Sequence, residues 1–262
     1  MNVIAIIPAR MAATRFPGKP LAKICGMPMI GHCWHRTRIA VSVSAAYVAT
    51  CDEEITLYAR SIGAPAIMTS SKHERATDRT AEAMLTIERQ SGTRIDVVLM
   101  VQGDEPLITP EAIEKLSGAF EDPSIEIANL MGELETEEEF RDTHNVKVVT
   151  NCHGDALYFS REPIPSGWKN IPSMPMRNQM GIIGFRRDAL IGFNELPETD
   201  LERFESVDMN RVLESGGRVR MVPSPVRTIG VDTPNDLDVV DRLMRSDPLF
   251  VRYSVAHDER IA

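Results

Sequence analysis

Several features that would assign this 262-residue chain to a particular class of protein are missing from its sequence. No uncharged apolar run approaches the roughly 18 residues that a membrane-spanning helix needs. The apolar stretch at the N-terminus is only about six residues long and no basic residue precedes it, which predicts a buried strand rather than a signal peptide. The four cysteines show no CxxC or Cys/His metal spacing. We therefore expect a reduced, cytoplasmic protein without a membrane partner or structural zinc.

Positive charge is also in short supply. The chain carries 29 Lys and Arg against 38 Asp and Glu, which gives a formal net charge of −9. Such an acidic surface argues against a nucleic-acid partner held by bulk electrostatics. Hydrophobic residues make up 43% and charged residues 26%, as is typical of a globular protein. The length fits one domain with a smaller inserted portion.

Short apolar runs alternate with amphipathic segments through the first half of the chain. The predicted strands are NVIAIIP, AAYVAT, APAIM and IDVVLMVQ. The predicted helices are PMIGHCWHRTRIA, EEITLYARSIG, ATDRTAEAMLTIERQ and PEAIEKLSGAFE. Continuous apolar strands separated by helices indicate an α/β fold with a mostly parallel sheet covered on both faces. Ligands bind to such sheets at the carboxyl ends of the strands.

The second half has a different pattern. Closely spaced strand-like runs (IEIANLMGEL, NVKVVTN, DALYFSR and MGIIGF) predict a mixed or antiparallel section. A proline-rich stretch at 162–179 is incompatible with regular structure. The run DLERFESVDMNRVLESGG predicts one helix ending at a glycine pair, and IGVDTPNDLDVVDRLMRS predicts a strand and then a helix capped by Thr233. The final sixteen residues lack clear periodicity.

A basic loop follows the first predicted strand. Arg10, Arg15 and Lys19 lie within ten residues of one another, among Pro17, Gly18 and Pro20. A solvated surface turn is one explanation. A bound polyphosphate is the other, because arginine offers forked donors and lysine a point charge. The loop matches neither the P-loop, since a proline follows the lysine, nor the dinucleotide-binding GxGxxG pattern.

Two aspartates are placed to accompany such a ligand. Asp104, in the segment VQGDEP, lies at the end of an internal predicted strand, and Asp232 stands just before a predicted helix. Each could be only a turn or capping residue. Together with the basic loop they favour Mg²⁺, which takes one or two carboxylates and keeps several waters. The six histidines form no cluster that would indicate a nitrogen-ligated metal.

Five segments, in order, resemble one enzyme family. PARMAATRFPGKPL, VQGDEP, NVKVV, ALYFSREPIP and GVDTPNDL are similar to the corresponding segments of the CMP-Kdo synthetases, or 3-deoxy-manno-octulosonate cytidylyltransferases. The resemblance spans about residues 3–245. It implies a Rossmann-like fold of the nucleotidyltransferase type, with a smaller mixed-strand portion at about 125–190 for dimerisation and acceptor binding. It also implies a homodimer, CTP and a small acidic sugar as substrates, Mg²⁺ as cofactor, and a role in lipopolysaccharide biosynthesis.

The resemblance implies roles for residues at the start of the chain and around each motif. Arg10, Arg15 and Lys19 would hold the triphosphate, with Arg10, Lys19 and Asp104 acting in catalysis. Asp104 and Asp232 would bind the metal. The segment HERATDR occupies the place of the family's His-x-Ser-Gly-Thr-Glu-Arg beside cytosine. His73, Thr77 and Arg79 match it, whereas Arg75 and Ala76 add bulk where the family has Ser-Gly.

The acceptor positions depart furthest from the family pattern. Gln102 and Arg161 match residues that contact the sugar acid. Where the family reads His-Leu-Gly-Ile-Tyr, this chain places Gln179 and Ile183 at the ends of the motif, and Asp208 and Met209 differ from the family's Glu-Gln pair. These changes indicate retained nucleotide chemistry with an altered acceptor pocket. The alternatives are a cytidylyltransferase for another acid, such as a phosphonate or nonulosonate, and an inactive nucleotide-binding regulatory module.

Overall fold

The computed structural model describes residues 1–12, 16–169 and 174–261, and the side chains up to residue 254 within them. Eleven strands were assigned in this part of the chain: β1 Val3–Ala9, β2 Lys23–Ile24, β3 Met27–Pro28, β4 Ala45–Thr50, β5 Ala66–Met68, β6 Val97–Val101, β7 Ile127–Glu133, β8 Lys147–Thr150, β9 Ala156–Ser160, β10 Arg177–Arg186 and β11 Arg220–Pro223. Ten α-helices accompany them: α1 Met29–Ile39, α2 Glu53–Ser61, α3 Ala76–Ser91, α4 Pro110–Gly118, α5 Glu137–Arg141, α6 Arg187–Glu195, α7 Asp200–Glu205, α8 Met209–Glu214, α9 Pro234–Arg245 and α10 Pro248–Ile261.

The large sheet has the strand order β11-β7-β10-β6-β1-β4-β5, with β8 and β9 attached beside β10. β6, β1, β4 and β5 are parallel, as their continuous apolar sequences predict. β10 runs antiparallel to both β6 and β7, and β11 is parallel to β7. The α/β class and the mixed second half predicted from the sequence are confirmed. The strand β10 joins the two halves because it contacts the parallel strands along one edge and the mixed strands along the other.

Hydrophobic side chains alternate between the two faces of the sheet. In β1, Ile4 and Ile6 belong to one buried cluster, whereas Ala5 and Ile7 belong to the other. Helices α1, α2, α4 and α9 supply residues to the second of these clusters, and α3, α6 and α8 to the first. Each face therefore has its own core, and the carboxyl ends of the parallel strands are left as a polar rim.

Two local predictions were wrong. The run 200–217 is two helices, α7 and α8, because Ser206 adopts a left-handed conformation (φ 54°) and ends the first. Residues 229–232 form an extended loop rather than a strand, and Val231 donates one hydrogen bond to the Asp104 carbonyl. Residues 248–261, whose sequence shows no clear periodicity, form α10, which packs on α1, where the Tyr253 hydroxyl bonds His32.

Smaller features of the sequence agree with the structure in part. Thr233 caps α9 and accepts a hydrogen bond from the Asp236 N–H, as its sequence context predicts. The proline-rich stretch is irregular over 162–169 and 174–176, as predicted, and 170–173 lie outside the described residues. Residues 177–179, predicted to be irregular as well, instead begin β10. No helix in the described residues is long and apolar enough to cross a bilayer. The inserted portion at about 125–190 stays a prediction, with β7 and β10 lying in the large sheet and β8 and β9 beside it.

Candidate active site

The polar rim brings the ends of β1 and β6 together. These strands are parallel neighbours, and Ile6 pairs with Met100 near their carboxyl ends. The basic loop leaves β1 at Arg10, and the turn Gln102–Glu105 leaves β6. The loop before α9 joins them through the Val231 N–H, which donates to the Asp104 carbonyl at 2.9 Å. Three segments remote in sequence therefore meet at one edge of the sheet.

Lys19 lies at the centre of this meeting point. Gly18 precedes it in a left-handed conformation (φ 74°), which favours glycine, and turns the chain into a short 3₁₀ helix. The Lys19 ammonium donates to Asp104 Oδ2 at 2.7 Å and to the Val231 carbonyl at 2.8 Å. It lies 3.5 Å from Asp232 Oδ1. The lysine side chain is only 14% exposed, which strengthens its interaction with both carboxylates.

The donor set at this point suits Mg²⁺. Two carboxylates, Asp104 and Asp232, lie within 3.5 Å of the same ammonium. The described residues contain no group of three or more His, Cys, Asp or Glu side chains that could enclose a metal ion. Mg²⁺ is commonly held in this incomplete way, by one or two carboxylates together with water and substrate phosphates. The residues present therefore fit the ion as a partner of a bound polyphosphate.

A cavity of about 290 Å³ opens over the basic loop. Lys19, Asp104 and Asp232 line one side, together with Arg10, which is exposed to solvent. Pro8, Phe16 and Pro20 supply apolar surface. Arg15, the third predicted triphosphate ligand, lies outside the described residues. The cavity thus combines cations, carboxylates and apolar walls in one concave surface, as a nucleotide requires.

The segment 73–79, a loop followed by the first turn of α3, supplies another part of the cavity wall. Arg79 lines the cavity and is fixed by bonds to Thr69 Oγ1 at 2.5 Å and the His73 carbonyl at 3.3 Å. His73 and Thr77 are not among the lining residues. The His73 ring bonds Glu82 at 2.5 Å, and Thr77 is fully buried. Burial raises the pKa of the Glu82 carboxyl, but the Ser70 N–H and the His73 ring outweigh that effect and hold it below its usual value.

Arg75 lines the same cavity, but its guanidinium is paired with carboxylates that do not line that cavity. Its guanidinium lies 2.6 Å from Glu198 and also contacts Glu202, which is buried and paired with Arg211. The bulk that the sequence predicts beside the base is therefore directed toward the helix α7. This ion-pair cluster links the wall of the smaller cavity to the segment that carries Asp208.

A second, larger cavity of about 920 Å³ adjoins the first. Gln102, Asp104, Asp232 and Glu74 line both. Among the described residues, nine carboxylates line the larger cavity, compared with two arginines, Arg161 and Arg227. An acidic molecule would meet net repulsion there unless cations offset it. This imbalance favours a bound divalent cation whenever an acidic substrate occupies the cavity.

Four predicted acceptor residues besides Gln102 line this cavity: Arg161, Gln179, Ile183 and Asp208. Arg161 donates to three backbone carbonyls, those of Glu205, Thr143 and Ser206, which fixes its guanidinium. Gln179 Nε2 donates to the buried Asn129 at 2.7 Å. Burial raises the pKa of Asp208, and the charge of Arg75 opposes this shift.

Met209 and Ile183 belong to the hydrophobic core. Met209 is fully buried and lies outside both cavity linings, although Asp208 beside it reaches the larger cavity. Ile183 is 2% exposed and contributes only a small apolar surface to the cavity wall. The sequence comparison placed these two residues at family positions but could not distinguish a side chain that packs behind a pocket from one that faces it.

One residue of the site was missed in the sequence. Glu105 follows Asp104, is 8% exposed, and lines the larger cavity. Burial, together with the charge of Asp104, raises its pKa to about 7, while hydrogen bonds from the Gly181 N–H and the Thr228 hydroxyl oppose the shift. The available signal was its position in VQGDEP, but sequence alone does not show which of two adjacent carboxylates turns inward.

Known proteins are similar to this chain over most of its length. A family model described as cytidylyltransferase matches residues 4–222. The chain is 42% identical to 3-deoxy-manno-octulosonate cytidylyltransferase from Geobacter metallireducens, over 94% of this chain and 99% of that protein. It is 47% identical to the protein of the same name from Anaeromyxobacter sp., over 94% and 98%. The solved structure of CMP:2-keto-3-deoxy-manno-octonic acid synthetase complexed with CTP superposes with a TM-score of 0.85 at 36% identity, covering 94% and 99%.

Proposed function

The chain belongs to the 3-deoxy-manno-octulosonate cytidylyltransferase family, and on that premise we propose that it transfers CMP from CTP to the anomeric hydroxyl of 3-deoxy-manno-octulosonate (Kdo), or of a closely related ulosonic acid, and releases pyrophosphate. The observation that carries this proposal is the position of Lys19 between Asp104 and Asp232, at the junction of two cavities. One cavity suits a nucleotide, and the other suits a polar acid when a divalent cation offsets the charge of its carboxylates.

The triphosphate is assigned to the smaller cavity. Arg10 and Lys19 supply positive charge there, and Arg15 is expected to join them from outside the described residues. Asp104 and Asp232 would hold Mg²⁺, which offsets charge on the phosphates. Arg79, in the first turn of α3, holds the segment 73–79 through its bonds to Thr69 and to the His73 carbonyl. We assign base recognition to this segment, with His73 and Thr77 supporting it from behind the cavity surface.

The acceptor is assigned to the larger cavity. Arg161 is the cation there that would pair with its carboxylate, and Gln102 and Gln179 offer amides to its hydroxyls. Ile183 and Asp208 complete the wall, and Met209 packs behind it. Since Gln102 lines both cavities, it lies where the two substrates meet.

The reaction proposed here is an in-line displacement at phosphorus. The anomeric oxygen of the acceptor forms a bond to the α-phosphorus while the bond from that phosphorus to the bridging oxygen of pyrophosphate breaks. Lys19 and Arg10 neutralise the charge that develops on the leaving group. Asp104 lines both cavities and is the group on this chain that we assign to accept the hydroxyl proton. Positioning of the two substrates supplies the remaining acceleration.

Pyrophosphate release tests the function directly. Purified protein with CTP, Mg²⁺ and Kdo is expected to release pyrophosphate, and replacement of CTP by UTP, ATP or GTP should lower the rate at least about tenfold. A panel of other ulosonic acids, nonulosonates and phosphonates then ranks the acceptors. Release only with one of these other acids would identify a different acceptor. Tight CTP binding without release in the presence of any acid would instead indicate a regulatory module.

We further infer that two copies associate through the half of the molecule outside the parallel strands. Large apolar side chains are exposed there on β9 (Leu157, 60%), on α7 (Phe204, 78%) and in the proline-rich stretch (Trp168, 79%). Light scattering after size-exclusion chromatography should give the mass of a dimer. Leu157→Asp with Phe204→Asp should shift it to the monomer, and a monomeric wild-type protein would contradict the inference.

The four cysteines support a reducing cytoplasmic setting. Cys25, Cys33, Cys51 and Cys152 are all unpaired, and Cys33 is fully buried. Burial raises the pKa of the Cys33 thiol far above its usual value, which keeps it protonated and unreactive. Thiol quantification in the native and denatured protein, without reductant, should give four free thiols after denaturation.

A further inference from the structure

Three segments of the proposed site meet at the buried side chain of Glu105. The first is the turn after β6, which contains Gln102 and Asp104. The second is the part of β10 that carries Gln179 into the larger cavity. The third is the loop at 228–232, which ends at Asp232. Each segment carries residues that bind a different part of the reacting pair, so their relative positions decide whether the two substrates meet correctly.

Glu105 bonds to the other two segments with separate oxygens. Its Oε1 accepts the Gly181 N–H at 3.1 Å, and its Oε2 accepts the Thr228 hydroxyl at 3.3 Å. Two backbone bonds flank this carboxylate. The Gln102 N–H donates to the Gly181 carbonyl at 2.9 Å, and the Val231 N–H donates to the Asp104 carbonyl at 2.9 Å. The junction is therefore a small network, and among the described residues Glu105 is the side chain whose hydrogen bonds reach both partner segments.

The geometry of β10 leaves the Gly181 N–H without a partner in the neighbouring strand β7. The pairing of β10 with β7 shifts register between Gln179 and Ile183, so Gly181 has no paired residue in β7. Its N–H points to Glu105 instead. A Cβ atom at position 181 would lie 3.0 Å from Glu105 Oε1 and 3.3 Å from Gln102 Cβ. Glycine at this position thus permits the close approach on which the contact depends.

We propose that Glu105 is a positioning residue, which holds the Gln179 segment and the Asp232 loop at a fixed distance from Asp104. The proposal rests on the proposed function, since it assigns these segments to the acceptor and to the metal-bound triphosphate. Glu105 acts through its hydrogen bonds and touches neither reacting atom. Loss of the bonds therefore impairs use of the acceptor and the rate of transfer more than it impairs CTP binding.

Three variants distinguish the effect of losing the Glu105 hydrogen bonds from the effect of losing its negative charge and from a general loss of stability. Glu105→Gln keeps an oxygen for the Gly181 N–H and offers an amide to Thr228, without the charge. Glu105→Leu removes both bonds, and Thr228→Val removes one. Glu54→Leu, at an exposed position of α2, is the matched control for the leucine substitution. Melting temperatures and circular dichroism establish which variants are folded.

Steady-state kinetics provide the main measurement. We expect Glu105→Leu to raise the acceptor KM about tenfold and to lower kcat about tenfold. The same two changes should be about threefold each in Thr228→Val and less than about threefold in Glu105→Gln. The CTP dissociation constant, measured without acceptor, should change by less than about threefold in all of them. A folded Glu105→Leu variant with unchanged kinetics overturns the proposal, and so does Glu105→Gln if it loses as much as Glu105→Leu.

Amide hydrogen exchange provides a second measurement that does not depend on activity. Peptides covering 177–183 and 224–232 should exchange faster in Glu105→Leu and Thr228→Val than in wild type, and at the wild-type rate in Glu105→Gln. If Glu105→Leu fails to fold, Thr228→Val decides, and unchanged exchange and acceptor KM in that variant overturn the proposal. An inactive wild-type protein with the expected exchange pattern would refute the proposed function and leave the positioning role standing.

Discussion

The ammonium of Lys19 lies 2.7 Å from a carboxylate oxygen of Asp104, although 85 residues separate them in the chain. The contact joins the basic loop after β1 to the turn after β6, and both side chains are largely shielded from water. The same ammonium lies 3.5 Å from the carboxylate of Asp232, so two negative charges hold Lys19 in position. Removal of the Lys19 ammonium is therefore expected to have two opposite effects, which are slower pyrophosphate release and tighter binding of a divalent metal ion.

Lys19→Ala should lower the rate of pyrophosphate release by at least about a hundredfold, because the triphosphate loses a largely buried cation. The same variant should bind Mn²⁺ more tightly than wild type in the absence of nucleotide, since no ammonium competes for Asp104 and Asp232. Electron paramagnetic resonance titration with Mn²⁺ measures this affinity. Lys23→Ala, four residues away and exposed, is the control. Weaker Mn²⁺ binding in Lys19→Ala would contradict the geometry assigned to the site.

Asp104→Asn and Asp232→Asn should each weaken Mn²⁺ binding and reduce transfer by at least about a hundredfold, because a neutral amide is a poor ligand for a hard cation. The two substitutions should leave the fold intact, as both side chains are partly exposed. Asp238→Asn, on the exposed face of α9, is the matched control. Wild-type activity in either variant would show that the metal-binding residues are elsewhere.

Gln179→Leu should raise the acceptor KM by about tenfold and leave the CTP KM unchanged. The Nε2 group of Gln179 is engaged by Asn129, so its carbonyl oxygen is the atom left to accept a hydrogen bond from an acceptor hydroxyl. Gln90→Leu, at an exposed position near the end of α3, controls for the added apolar side chain. Equal changes in both KM values would place Gln179 outside the acceptor site.

Glu205→Gln should destabilise the protein by about 1–3 kcal/mol at neutral pH and by less in acid. Burial raises the pKa of the Glu205 carboxyl, but the Arg161 N–H and the hydroxyls of Tyr158 and Ser160 outweigh burial and hold this pKa below its usual value. A carboxyl with a lowered pKa stabilises the fold above its unfolded pKa, and this contribution disappears as the pH falls through the folded value.

The measurement for Glu205 is the difference in melting temperature between wild type and variant at several pH values. The difference should be largest above about pH 5 and should narrow as the pH falls below about 4. Glu54→Gln, which is exposed on α2, should show no difference at any pH. A constant difference for Glu205→Gln across the range would mean that the ionised form of Glu205 has no special role.

Local sequence was sufficient for elements whose pattern is continuous. β1 and β6 are apolar throughout and buried on both faces, so their strand character and their parallel pairing follow from composition. The proximity of Asp104 to the basic loop followed as well, because parallel strands end at the same rim. These predictions depend only on short-range periodicity and on one general rule of sheet topology.

Other features depend on contacts that sequence does not reveal. The break between α7 and α8 is associated with Glu205, whose carboxylate and carbonyl bind Arg161 from a distant part of the chain. The helix α10 is stabilised by Tyr253, which contacts His32 and Arg36 on α1. Whether Ile183 faces the cavity or the core depends on the register of β10. In each case tertiary interactions outweigh local propensity.

The register shift in β10 limits how this enzyme can change its preference for an acceptor. Side chains in a strand alternate between faces, so deleting or inserting one residue between Gln179 and Phe185 would exchange core-facing and cavity-facing positions along the strand. Phe185, fully buried, would then lose its place in the core. New acceptor specificities can therefore arise here by point substitution, whereas changes in length must occur in the loops.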